Sequence, residues 1–425
     1  MPSFFAPSRL LGILPRQKPA VSAPVAQVVA DFAKAHALPL RHEGPDLQAQ
    51  ATIATRGLFL ARQERWSDLS HAMKMADRHL DRTLGGVAHA PLLARGAAGD
   101  AIGPLLQVLA DPGLVAAHAP GGGISALEEA LEDFEDDFAL GLVLVYALIE
   151  TGLAWRGQGW ISDVPQAHWH QFQAHFQQAQ AVLATHGQFT RNSAAYAAAR
   201  CALFAALPAR AEEVCTAYEW LIDLDPGNPH HMRNFGVHLL PRWFGDYDRL
   251  ETQAQRIAGR CASVWGAGGY AWVYLDALRH DPKALTVLNV DRFANAVTAI
   301  LDNAENPHYA NDLAAFGALT LAGPAFQSGV LRPMAQGLRQ ALDQVLQGRL
   351  REIHAPVWMQ AAQPVALPGT AARPLVEEGG KIPPAVPLFQ PGLRRRAQIS
   401  RLRPSLSASA WLARAITLAP PAVTN

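Results

Sequence analysis

From about Pro45 to Leu350 apolar residues recur at spacings of three and four, separated by Ala, Gln, Arg and acidic residues. This is the period of helices with one apolar face, and the alternation that marks strands is almost absent. The pattern predicts helices over roughly 47–62, 66–80, 164–186, 192–206, 209–224, 246–263, 268–279 and 331–350. Three further starts are marked by Asn228-Pro229, Asp281-Pro282 and Asn306-Pro307. Each sets a capping side chain before a proline whose missing N–H costs nothing at the first helical position. Most connections are short, which favours antiparallel neighbours.

Ser125 and Glu128 match the Ser-x-x-Glu capping box,. Leu127, Ala130, Leu131, Phe134 and Phe138 follow at helical spacing, while Glu128, Glu129, Glu132, Asp133, Glu135, Asp136 and Asp137 take the other face. That face reads as solvated, or as a site for a basic partner. It leads into the apolar run from Phe138 to Ile149, shorter than the roughly 18 residues that a membrane-spanning helix needs and expected to be a buried core helix.

Half of the 425 residues are apolar, and 36 basic residues balance 36 acidic ones. The chain is long enough for a large core, and its neutral balance makes no case for nucleic acid or an anionic membrane as the partner of the whole protein. Cys201, Cys215 and Cys261 are too few and too widely spaced for a disulfide framework or a CxxC zinc site, which points to a reducing, cytoplasmic setting. The apolar start from Met1 to Ala20 is broken by Pro2, Pro7, Arg9 and Pro15, so it reads as an arm rather than an export signal,. The expected organisation is an arm over 1–44, partly flexible, a helical domain over 45–350 and a Pro-rich basic tail over 351–425.

A repeat underlies the helical region. Cys201-Ala202 form a large-small pair, followed by Tyr218, Leu221 and the terminating Pro226; 34 residues after Cys201, Phe235-Gly236 repeat the pair, with Gly245, Tyr247 and Leu250 following after a two-residue insertion. An earlier segment, Gly57, Leu60, Trp66, Leu69, Met73 and Ala76, fits without insertion, and the register is lost after Leu250. Asn-Pro-His also occurs twice, at 228–230 ahead of Phe235-Gly236 and at 306–308 ahead of Phe316-Gly317. This resembles a diverged tetratricopeptide array. The resemblance implies an all-α fold of antiparallel hairpins stacked as a solenoid, with irregular N- and C-terminal segments. The alternative is an irregular helical bundle.

The run Leu240-Pro241-Arg242-Trp243-Phe244-Gly245-Asp246-Tyr247 is similar to a Pro-Arg-Trp-Gly-Gly-Ser-Tyr signature of uncharacterised bacterial proteins of tetratricopeptide-like build, matching it at Pro241, Arg242, Trp243, Gly245 and Tyr247. Physically, Pro241 halts a helix, Gly245 permits a turn, and Trp243 and Tyr247 seat the hairpin on its neighbour. By resemblance, the first helix of each hairpin contributes to a groove for a peptide or partner helix. This makes Asn234, His238 and Arg242 candidate contacts, with Trp243 and Tyr247 beside them.

No GxSxG, HExxH, GxxxxGK[ST] or strand-bounded GxGxxG is present, so no catalytic residue is assigned,. His168 with His175, and His231 with His238, lie seven residues apart, whereas two ligands on one helix normally sit a turn apart; no metal or other cofactor is assigned. Beyond Glu378 the chain carries no acid, and Arg394, Arg395, Arg396, Arg401 and Arg403 precede Trp411. This stretch reads as a solubilising tail, as a docking segment for an acidic surface such as 128–137, or as a weak electrostatic contact with membrane or nucleic acid. The expected function is a scaffold or adaptor for a protein or peptide. The rival is an enzyme or small-ligand protein with a pocket near Trp243, Trp265, Tyr270 and Trp272.

Overall fold

Helices carry most of the residues that the computed structural model describes, which are 23–110, 123–157, 164–187 and 192–362. In chain order they are α1 (Ala23–Ala35), α2 (Pro45–Arg62), α3 (Trp66–Arg78), α4 (His89–Ala110), α5 (Gly123–Leu131), α6 (Phe138–Arg156), α7 (Gln166–His186), α8 (Ala194–Ala202) and α9 (Ala211–Leu224). The second half holds α10 (Pro229–His238), α11 (Tyr247–Arg260), α12 (Ala262–Trp265), α13 (Gly269–His280), α14 (Val290–Asn303), α15 (Pro307–Ala315), α16 (Leu331–Leu346) and α17 (Ala355–Ala361). Two short strands, β1 (Leu40–Arg41) and β2 (Ile353–His354), pair in parallel. The all-α expectation is met.

The proline-marked starts fall where the capping chemistry puts them. The Oδ1 of Asn228 accepts from His230 N at 3.1 Å, and that of Asn306 from His308 N at 2.9 Å. Pro282 opens a 3₁₀ turn that ends at Thr286, and the α-helix of that region starts only at Val290, capped by Asn289. Ser125 is not a cap: α5 has already begun at Gly123. The cap in this region is Asp137, which accepts from the amides of Ala139 and Leu140 and also holds Ser70 and Lys74. Assigned by sequence to the solvated acidic face, it instead ties α3 to the start of α6.

Helix α6 runs for 19 residues, further than the apolar run suggests, and by length and composition it could cross a membrane. It is mostly buried, packed between α4 and α7, with Leu140, Val143, Val145 and Leu148 fully enclosed.

Helices near one another in the chain pack together. Helix α2 lies against α4, α4 against α6, α6 against α7, α9 against α10 and α10 against α13; α13 with α14 and α15 with α16 continue the pairing beyond Leu250. Helices α9 and α11 are joined by Arg249–Glu212, Arg256–Glu219 and Arg260–Asp223, all separated by 37 residues. A constant offset over three turns requires α9 and α11 to be parallel and in register. Gly236 sits where α10 meets α13: a β-carbon there would lie 1.8 Å from the carbonyl oxygen of Val273.

One apolar core runs through α2 to α8 and a second through α8 to α17, with Trp220 packed against both. Val29 and Ala33 of α1 belong to the second core, the ring of Phe32 lies 4.6 Å from that of Trp358, and Leu40 pairs with Ile353. Residues 23–41 and 353–361, expected in arm and tail, therefore close onto each other and onto the helical region. The rest of the tail, with Arg394, Arg395, Arg396, Arg401, Arg403 and Trp411, lies outside the described residues, as does the start of the arm.

Candidate functional site

Helix α10 and the turn after it hold Asn234, His238, Arg242 and Trp243, and Tyr247 opens α11. The last turn of α10 ends at Leu239; the chain then bends back, with Phe244 N bonded to His238 O at 3.1 Å and Trp243 N to Leu240 O at 2.8 Å. The turn lays Trp243 and Phe244 over His238, at ring separations of 5.4 and 5.9 Å. His238 and Trp243 are thus buried, whereas Asn234 and Arg242 are exposed. Tyr247 is half-buried and donates to Asp281 at 2.7 Å, a contact that spans 34 residues and links the start of α11 to the end of α13. Burial and that carboxylate push its phenol above the ordinary range,.

The Nδ1 of His238 lies 2.9 Å from Asn234 O and 3.0 Å from Tyr218 Oη. A carbonyl oxygen can only accept, so Nδ1 carries the proton and Nε2 is a bare lone pair, enclosed and without a hydrogen-bond partner,. Burial lowers the affinity of His238 for a second proton to a pKa of about 4. His280, at the last turn of α13, shows the same pattern: its Nε2 is enclosed without a partner. Burial, with Arg279, Arg242 and His238 nearby, pushes its pKa to about 4, against the pull of Asp276.

A second polar cluster, which sequence reading missed, runs across α10, α13 and α15. Arg233 donates from Nε and Nη2 to the two oxygens of Asp276, each at 2.8 Å, and from Nη1 to Asp312. Burial alone would raise the Asp276 carboxyl, yet Arg233, aided by Arg279, holds it far below the carboxylate range,. Partners 43 and 79 residues away leave no local trace in a sequence. The two Asn-Pro-His copies were the available signal, because His230 and His308 border this cluster and its charges act on them.

The hairpin loop between α3 and α4 closes the N-terminal ends of α10 and α15. His230 Nε2 donates to Gly85 O at 2.8 Å, Asn306 Nδ2 to Leu84 O at 2.6 Å, and Gly85 N to Asp46. Arg82 bonds Asp225 at 2.9 Å, and His231 approaches the same carboxylate at 3.1 Å. Beside this loop, Pro45, Asp46, His308, His354, Pro356 and Gln360 line a cleft of about 20 Å3, space for a water molecule rather than a substrate,.

Near Trp265 the space is filled by rings: Trp265, Trp272 and Tyr309 meet edge to face at 5.3 to 5.5 Å, and Trp265 Nε1 donates to Pro226 O. His168 packs on Trp155, and His175 Nδ1 donates to Gln171 O. Among the described residues no three His, Cys, Asp or Glu side chains are arranged to hold a metal ion. Comparison with protein-family profiles, curated proteins and solved structures finds no match to this chain.

Proposed function

We propose that this chain is a tetratricopeptide-like solenoid acting as a scaffold or adaptor for a protein or peptide partner. The observation that carries it is the constant 37-residue spacing of three ion pairs between α9 and α11. Parallel, in-register second helices are what stacking of like hairpins requires, and stacked hairpins present extended surfaces suited to long partners. The close contact at Gly236 and the Tyr247–Asp281 bond support the same stacking. Asn234 and Arg242 are the exposed candidates for partner contact; His238, Trp243 and Tyr247 shape the turn that presents them. The buried thiols of Cys201, Cys215 and Cys261 fit a reducing compartment, so a cytoplasmic setting belongs to this proposal,.

A pocket for a small ligand near Trp243 and Trp265 is less favoured, because aromatic rings occupy the space it needs. The two are separated by placing a photo-crosslinking residue at position 234, 242 or, as a control on the exposed face of α11, 255 in native cells. The scaffold predicts one stoichiometric adduct from 234 and 242 and none from 255. Equal labelling from all three, or none from any, would remove it. The same capture with a chain ending at Glu378 tests whether the arginine-rich tail contributes.

A further inference from the structure

The last turns of α10 and α13, two helices packed on each other, each carry a histidine whose Nε2 is enclosed without a hydrogen-bond partner. We propose that this junction is an acid-sensitive latch: when His238 and His280 take up protons, the two helix ends part and expose the box formed by Tyr218, Trp243 and Phe244.

The geometry leaves a second proton on His238 nowhere to be stabilised. Nδ1 is already committed to Asn234 O and Tyr218 Oη, so the proton must go to Nε2, which meets neither acceptor nor solvent. The faces around the ring come from Tyr218 on α9, from Phe204, and from Trp243 and Phe244 in the turn. All are uncharged. The charges that act on His280 are those of Asp276 and Arg279 on its own helix and of Arg242 and His238 on α10 and its turn. Asp276 is already taken by the fork of Arg233 and by Arg279, and Asp281, which accepts from Tyr247, already has its charge set against Arg242. Two added charges would join Arg233, Arg242 and Arg279 with no free carboxylate to meet them. Opening admits water to both rings and restores ordinary imidazole basicity, so proton uptake drives separation. The depressed affinities of both rings agree with this.

The test is hydrogen exchange of the full chain between pH 7 and pH 4, corrected for the intrinsic rate. It follows peptides over 235–245 and 274–281, with 139–149 in α6 as the internal reference. Two linked protons predict that the opening equilibrium of the junction rises by up to about a hundredfold per pH unit below pH ~6, while α6 stays protected. His280→Gln should cut that slope to about tenfold. His238→Gln also removes the bond to Tyr218; should it fail to fold, the imidazole resonances of the wild-type chain serve instead and should titrate together with junction opening. An unchanged slope in His280→Gln, imidazoles that stay neutral through the opening, or α6 exchanging together with the junction would overturn the latch.

Discussion

Arg233 on α10 holds both carboxylate oxygens of Asp276 on α13 at 2.8 Å, and its remaining nitrogen reaches Asp312 on α15. One side chain thus ties three helices together. Arg233→Met would leave Asp312 without its cation and Asp276 with only Arg279, and removing one partner of a buried pair typically costs about 3–5 kcal/mol,. The triple change Arg233→Met, Asp276→Asn, Asp312→Asn removes the stranded charges along with the pair and should recover most of the loss. Urea unfolding of the two variants checks this; equal destabilisation would mean that shape, not charge, governs the site.

Two glycines in neighbouring helices should respond in opposite directions. Gly236→Ala sets a methyl against the Val273 carbonyl, which must shift with the whole of α13, and overpacking of this kind costs about 1–3 kcal/mol,. Gly259 lies on the exposed side of α11 with open space around it, so Gly259→Ala gains helix propensity and should stabilise by about 0.5–1 kcal/mol,. Thermal unfolding of both variants makes the comparison.

Asn306 performs two jobs that one substitution can separate. Its Oδ1 caps α15, and its Nδ2 donates to Leu84 O. Asp is as good a cap as Asn but has no donor, and it turns a carboxylate toward the Leu84 carbonyl. Asn306→Asp should therefore leave α15 protected from exchange while loosening the loop over 83–87 by about 1 kcal/mol. Parallel loss in both would show that the loop and the helix open together.

What the sequence disclosed is what depends on near neighbours. The helix from Pro45 to Arg62 and that from Ala211 to Leu224 lie within two residues of the periodicity, and the Asn-Pro starts were legible because a cap is made by residues side by side. Ser125 misled because the capping pattern is permissive and says nothing about a helix that begins two residues earlier. The ion cluster of Arg233 was invisible because it joins residues 43 and 79 apart, and so was the pairing of Leu40 with Ile353. His238 shares a helix face with exposed Asn234, so it too was expected at the surface; the turn of Trp243 and Phe244 folds back and covers it. The exposure of a position on a helix face is decided by what packs next to it, not by the spacing of the face.

Acid sensitivity of global stability follows from the same histidines. In the folded state burial holds His230, His238 and His280 at pKa values of about 4, below the ~6.5 of an exposed imidazole,. Between those values the unfolded chain binds protons that the folded chain refuses, so stability falls as pH drops from about 6.5 to about 4, by up to about 3 kcal/mol per group. Above pH ~7 these three groups contribute no pH dependence. Asp46, Asp137 and Asp225 have lowered pKa values, because hydrogen bonds and nearby cations outweigh the opposing effect of burial, and they lose their contribution only at lower pH, as they too are protonated. Asp77, raised by burial, acts in the opposite direction. Urea unfolding at pH 7.5, 6.5, 5.5 and 4.5 should therefore show a steep loss that begins well above the carboxylate range. His230→Gln should flatten part of that loss, because its amide donates to Gly85 O without ever taking a charge. A flat profile down to pH 4.5 would mean that these rings are reached by water in the folded chain.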